Sequence, residues 1–403
     1  MLRVEMGPSQ RGAALPASPI RRLMPLAEGA RCRGRRIHHL NIGQPDLPPP
    51  PSVLAALRDA DQERLVYAPS RGLGEAIEAW CAYYRHHGLE VEPGDVLVTS
   101  GASEAVPLAL RATCDAGDEV LVPEPFYAPY KGLAAVADVR LTPVPLGEDF
   151  APPPAEAVRA RLTPRTRALL LCSPNNPTGT VYGRDELAAL GALAAEYGLF
   201  LLADETYREL VFDGPPAPSA LSLPGLDEHV VVLDSVSKRF NVCGLRIGAV
   251  VSRNHRVMAA MLQLAELRLA VPAIDQRATI GALAAPQPYV EGVIASYRER
   301  VEAVVGALAR LPGVRVHRPA GAFYVVARLP VDDAEAFAGW LLRDFALDGE
   351  TVMLTPMADF YATPGRGRDE VRIACVVDAA ALRRAIEIVG AGLAVYPRRA
   401  PGR

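Results

Sequence analysis

Between residues 50 and 275 the chain alternates short, almost uninterrupted apolar runs with stretches of helical spacing. The runs at 96–99, 119–122, 168–172, 199–203, 230–233 and 247–251 are rich in Val and Leu. A half-buried strand would alternate apolar with polar residues, so unbroken hydrophobicity in such short runs predicts strands covered on both faces, hence a mostly parallel sheet between helices. The stretches 103–114 and 184–197 have helical spacing, and Gly198 stops the second where a left-handed cap is wanted. After residue 280 the pattern changes. A long amphipathic stretch, 289–310, closes at Leu311-Pro312-Gly313, and strand patterns at 314–317, 322–327 and 370–376 mix with helical ones at 332–345 and 378–394. The order predicts an α/β large domain followed by a smaller α+β domain. A length of 403 residues points the same way, because single cores stop growing near roughly 250–300 residues.

Composition narrows the class. Net charge is −3, 22% of residues are charged and no basic stripe appears, so nucleic acid is not an expected partner. The six cysteines (Cys32, Cys81, Cys114, Cys172, Cys243, Cys375) form no Cys-x-x-Cys pair and read as reduced thiols of a cytoplasmic protein. Arginines crowd the first 36 residues without the apolar segment of a secretory signal. No run nears the ~20 apolar residues of a membrane span. Small residues and prolines through residue 19 predict a flexible leader.

Chemistry concentrates where predicted strands end. Behind the strand at 230–233 lies Ser235-Val236-Ser237-Lys238-Arg239, then Arg246 and Gly248. A lysine there can join an aldehyde cofactor as an imine. Ser235, Ser237 and Arg246 can hold a phosphate through hydroxyls and a planar charged fork. Thr99-Ser100-Gly101-Ala102-Ser103-Glu104 follows a strand and opens a helix, which offers backbone N–H groups to an anion; taken alone it reads as well as a plain capped turn. Asp204 closes the strand at 199–203, a costly place for a carboxylate unless it meets a cation, although a helix cap would also explain it. Cys172 through Gly179 forms a proline-fixed turn that can present an Asn amide as a donor.

Together these residues resemble fold-type I pyridoxal-phosphate enzymes of the class I/II aminotransferase family, from Asn41 to about Gly392, closest to the bacterial and archaeal branch labelled aspartate aminotransferase. The motifs occur in family order: Asn41-Ile42-Gly43-Gln44-Pro45-Asp46, Tyr67-Ala68-Pro69-Ser70-Arg71-Gly72, the Gly101 turn, Pro125-Phe126-Tyr127, Asn176-Pro177-Thr178-Gly179, Asp204-Glu205-x-Tyr207, the Lys238 segment, Gly321-Ala322-Phe323-Tyr324 and Val371-Arg372-Ile373. The resemblance implies a large domain with a mostly parallel seven-stranded sheet and a smaller α+β domain. It divides the chain into a leader (1–19), an N-terminal segment joining the small domain (20–48), a large cofactor-binding domain (49–280) and a C-terminal small domain (281–403).

It also implies roles. Lys238 holds the cofactor, pyridoxal 5′-phosphate, and moves the substrate proton. Asp204 keeps the ring nitrogen protonated, Tyr207 and Asn176 bond the ring oxygen, and Tyr127 stacks on the ring. Gly101, Ala102, Ser103, Ser235 and Arg246 hold the phosphate, with Ser237 a further motif member. Tyr67 reaches the phosphate of a neighbouring subunit, which implies a homodimer with shared sites. Arg372 grips the substrate α-carboxylate, Asn176 borders it, and Gly43 lies in a loop over it. Substrates are then an L-amino acid and a 2-oxo acid in a ping-pong cycle; elimination, replacement, oxidation or decarboxylation on the same cofactor is the alternative, and a non-catalytic binding or regulatory protein a more remote one. For a second, distal carboxylate Arg268 is a candidate, with Arg239 and Arg71 as others. Met357 and Asp359 stand where small residues are expected, which suggests a changed substrate pocket.

Overall fold

The computed structural model describes residues 6–58 and 66–397. Its central sheet has seven strands in the spatial order Val96–Thr99, Gly248–Val251, Val230–Ser235, Phe200–Asp204, Thr166–Cys172, Glu119–Glu124 and Arg140–Pro145. Neighbours run parallel except Gly248–Val251, which is antiparallel to both of its partners. The unbroken apolar runs have a direct cause. Leu169 and Leu171 face one apolar core while Ala168 and Leu170 face the other, so neither face of the strand can be polar.

The strand Arg140–Pro145 is absent from the hydrophobic pattern. It is an edge strand, paired only with Glu119–Glu124, and carries prolines at 143 and 145. Proline has no N–H to give a second neighbour, so an edge is where such a strand can sit. The expected elements after residue 280 appear as helices Gln287–Leu308, Ala334–Arg343 and Ala379–Val395 around a four-stranded antiparallel sheet. A two-stranded parallel pair was not expected: Arg36–His39 lies beside Glu350–Met353. Leu23, Ala27 and Leu40 share one core with Phe337, Leu341 and Val389, which fastens the N-terminal segment to the C-terminal layer. Helix Gln287–Leu308 spans both layers, with Val290 in the core under the large sheet and Val293 in the smaller one. Of the leader, residues 10–14 form a short helix capped by the Ser9 side chain.

This arrangement brings the carboxyl ends of adjacent parallel strands together. Cys172 and Asp204 are register partners, Asp204 in turn pairs with Leu233, and Ser235 ends the next strand. In open α/β sheets ligands bind in the crevice outside these ends. The N-terminal segment and the C-terminal layer close that crevice from above, since Ile42, Gly43, Tyr324 and Arg372 all face it.

Candidate active site

The crevice is a cavity of about 450 Å³. Every residue expected at the site lines it except Gly101 and Tyr67. Gly101 stands directly behind, and the Tyr67 side chain lies outside, 81% exposed to solvent.

At one end lies an anion cradle. Gly101 caps helix Ala102–Thr113 with φ +71°, a left-handed conformation that turns the strand sharply into the helix. A Cβ on Gly101 would sit 2.8 Å from Nη2 of Arg246, so the missing side chain is what lets the guanidinium approach the helix N-terminus. Arg246 is itself left-handed (φ 57°) and donates from Nη1 to the Cys243 carbonyl at 3.1 Å. Ser235 Oγ and Ser237 Oγ are 2.8 Å apart and complete the cradle. Cation, helix N-terminus and two hydroxyls are the donor set a phosphate needs.

Lys238 crosses the middle. Its Nζ donates to the Gly43 carbonyl at 2.7 Å. Burial pushes its ammonium down to about 8, with Arg372 and Arg246 adding to the effect and Cys243 opposing it. The neighbouring Arg239 anchors the lysine's loop: it is fully buried, bonds both Asp234 carboxylate oxygens at 2.9 and 3.0 Å, and lies 4.6 Å over the Tyr83 ring. At the floor, Asp204 Oδ2 accepts from Tyr130 Oη at 2.5 Å and Oδ1 from the Thr206 N–H at 3.1 Å. Burial raises the Asp204 carboxyl and the Tyr130 bond opposes that rise, so a cation placed beside it in the cavity would favour its charged form.

On the far wall Arg372 is 1% exposed. Its Nη1 donates to Asn176 Oδ1 at 3.0 Å and its Nη2 to the Asn41 carbonyl at 2.6 Å, while Nε has no partner among the described residues. The guanidinium lies 4.4 Å over the Tyr324 ring. Because Asn176 gives its oxygen to Arg372, its Nδ2 is left to donate. Tyr207 Oη and Tyr324 Oη are 3.0 Å apart. Tyr324 and Tyr130 thus hold the expected residues in place. Tyr324 belongs to one of the family-like motifs, which by itself implied no role for it, and Tyr130 lies in the first turn of helix Pro129–Val136, its ring edge-on to that of Tyr127 with centroids 5.4 Å apart.

The three arginines weighed for a distal carboxylate are all elsewhere. Arg268 pairs with Glu104 at 2.7 Å and donates to the carbonyls of Ser70, Leu269 and Val98. Arg71 bonds the carbonyls of Gly94 and Val96. Arg239 is spent on Asp234. None of them lines the cavity.

The model of the family described as aminotransferase class I and II matches residues 35–389. The aspartate aminotransferase of Geobacillus stearothermophilus is 30% identical over 94% of this chain and 97% of that protein. The arginine–pyruvate transaminase of Pseudomonas aeruginosa is 36% identical over 77% of this chain and 80% of that protein. Among solved structures, a mutant of the Thermus thermophilus aspartate aminotransferase superposes with a TM-score of 0.87 at 32% identity, covering 96% of this chain and all of that one. The chain belongs to the class I and II aminotransferases. It is a pyridoxal-phosphate-dependent enzyme of the fold-type I architecture.

The residues present fit that cofactor. The anion cradle suits a phosphate, the amine of Lys238 is poised to lose its proton, and Asp204 faces the cavity from its floor. Arg372 lines the cavity and offers a substrate carboxylate a planar charged partner.

Proposed function

We propose that this aminotransferase transfers the amino group of an L-amino acid to a 2-oxo acid in two half-reactions at the Lys238 cavity, working as a homodimer in the cytoplasm. The observation that carries this is the convergence of Lys238, Asp204 and Arg372 on one cavity with an anion cradle at its end. Pyridoxal phosphate supplies, when bound, an aldehyde that takes up the amino group and a ring that withdraws electrons from the substrate. Arg246, Ser235, Ser237 and the helix N-terminus at Ala102 and Ser103 would hold its phosphate. Asp204 would face the ring nitrogen, Tyr127 the ring, and Asn176 Nδ2 with Tyr207 the ring oxygen.

Lys238 has two tasks in this reading. Its neutral amine would hold the cofactor's aldehyde, and its Nζ, when not so engaged, would take the proton from the substrate Cα. Arg372 orients the α-carboxylate and so fixes which Cα bond is presented. Asn176 ties that orientation to the cofactor side of the cavity. Homodimerisation is supported by Tyr67, a member of the resembling motifs that is 81% exposed on a single chain. No helix among the described residues is long and apolar enough to cross a membrane.

The test is a half-reaction. Holoenzyme mixed with single L-amino acids, without an acceptor, should lose the visible absorption of the lysine-bound cofactor and release one 2-oxo acid per site. Release of ammonia or consumption of oxygen would point instead to elimination or oxidation. No spectral change with any amino acid would overturn the reading.

A further inference from the structure

The charged residues lining the cavity are Arg21, Lys238, Arg246, Arg372 and Asp204. In the proposed transamination four of these have counterparts: Arg246 the cofactor phosphate, Lys238 the aldehyde, Asp204 the ring nitrogen and Arg372 the α-carboxylate. Arg21 has none. Its guanidinium makes no hydrogen bond or ion pair among the described residues, and Asp204 is the only carboxylate among the residues that line the cavity. The neighbour Arg22 shows the contrast, since it pairs with both Asp359 and Glu335 at 2.5 Å.

The backbone that carries Arg21 is held firmly and is tied to the α-carboxylate grip. Ser18 accepts from the N–H groups of Arg21 and Arg22 at 3.1 and 2.9 Å, which fixes the turn. The Ile20 carbonyl accepts from buried Asn41 Nδ2 at 2.7 Å, and the carbonyl of the same Asn41 accepts from Arg372. The Ile20 side chain packs with Met357, Phe360 and Tyr361. Met357 and Asp359, the two unusual residues of that stretch, therefore dock the segment that presents Arg21.

We infer that Arg21 is the specificity-determining residue for the substrate side chain and that it selects a dicarboxylic amino acid, with Arg372 taking the α-carboxylate and Arg21 the distal one. The inference rests on the transaminase reading above. Arg21 is a solvent-exposed residue at the rim of the cavity, and its planar fork, unpaired among the described residues, is suited to a carboxylate by shape as well as charge. Arg268, Arg239 and Arg71 are taken up by structural bonds, whereas Arg21 is free.

The experiment measures kcat/KM of the half-reaction for L-glutamate, L-aspartate, L-alanine and L-lysine in wild-type holoenzyme and in Arg21→Gln, Arg21→Lys and Arg21→Glu, each first shown to carry cofactor by its visible spectrum. The wild type should prefer the two acidic substrates. Arg21→Gln should lower the ratio of acidic to neutral kcat/KM by about 30-fold or more, on the order of one lost charge-assisted pair. Arg21→Lys should keep part of the ratio, and Arg21→Glu should shift preference toward L-lysine. Spectral titration of wild-type holoenzyme with succinate against butyrate needs no variant and should show succinate binding more tightly. An unchanged ratio in Arg21→Gln, or equal binding of the two acids, overturns the role of Arg21 while leaving transamination standing. Failure of all four together with a reaction of some other L-amino acid would also overturn the role of Arg21, and only failure of every L-amino acid would overturn the transaminase reading.

Discussion

Arg372 donates from Nη1 to Oδ1 of Asn176 across 3.0 Å, so the proposed α-carboxylate grip also decides which end of the Asn176 amide faces the cavity. An acceptor is turned toward the arginine and a donor toward the cofactor side. Asn176→Asp would remove the donor and place a full negative charge beside the guanidinium, in competition with the substrate. We expect KM for the amino donor to rise about 10- to 100-fold, the range for a buried hydrogen bond to a charged group. Steady-state kinetics at saturating cofactor checks this, and an unchanged KM would show that the Asn176–Arg372 bond does not orient the grip.

The depressed ammonium of Lys238 predicts a pH dependence for cofactor capture. Below about 8 the amine is protonated and cannot attack an aldehyde; above it the neutral form dominates. The rate at which apoenzyme acquires the lysine-bound absorption should therefore rise with pH and level off above about 8. Lys238→Ala should give no such absorption at any pH. A rate that kept climbing toward the ordinary lysine range near roughly 10.4 would mean that burial does not depress this amine.

Tyr130 touches Asp204 and should act through it. Its hydroxyl lowers the Asp204 carboxyl against a burial that raises it, so Tyr130→Phe moves the carboxyl further up. The acid limb of kcat should then shift to higher pH, with kcat falling about 10-fold, as expected for one lost bond to a charged group. A pH–rate profile of the variant decides: an unmoved acid limb would make Tyr130 a packing residue only.

How much of this was legible depends on whether a feature is local. The strands that build the cavity floor announce themselves because both faces are buried, and the residues at their ends, Asp204, Ser235 and Lys238, follow from that placement. The edge strand Arg140–Pro145 does not, since an edge tolerates prolines and polar residues. The strand Arg36–His39 pairs with Glu350–Met353 from the far end of the chain, a partnership that no window of sequence can reveal. The same limit hid Tyr130 and Tyr324, whose hydroxyls matter through partners brought in by other elements. It also explains why Arg268 attracted notice and Arg21 did not. Whether an arginine is engaged or free is visible only when its carboxylates and carbonyls are seen in space.

Gly101 gives a test of the anion cradle that removes no charged group. Gly101→Ala would introduce a Cβ 2.8 Å from the Arg246 guanidinium at a residue with φ +71°, where a side chain is strained by about 1 kcal/mol or more. Displacement of Arg246 should raise the dissociation constant for pyridoxal phosphate about 10-fold, roughly one weakened charge-assisted bond. Its affinity for pyridoxal, which lacks the phosphate, should change far less. Equal losses for both would locate the damage in the fold rather than in the phosphate contact.

Tyr67 offers a test of the shared site that does not depend on seeing a second chain. If each cavity needs the partner's Tyr67, a protomer with Lys238→Ala and a protomer with Tyr67→Ala fail in different ways. The first lacks the amine in its own cavity; the second lacks the tyrosine it would lend. Mixed and reassembled, they form a hybrid in which one cavity has both defects and the other has neither. At limiting cofactor, activity should therefore return on mixing to well above that of either parent, and it should appear only after subunit exchange. Sedimentation should show a dimer throughout. Additive activities after exchange, or a stable active monomer, would mean that Tyr67 serves its own chain or none, and that the exposed ring is not part of the site.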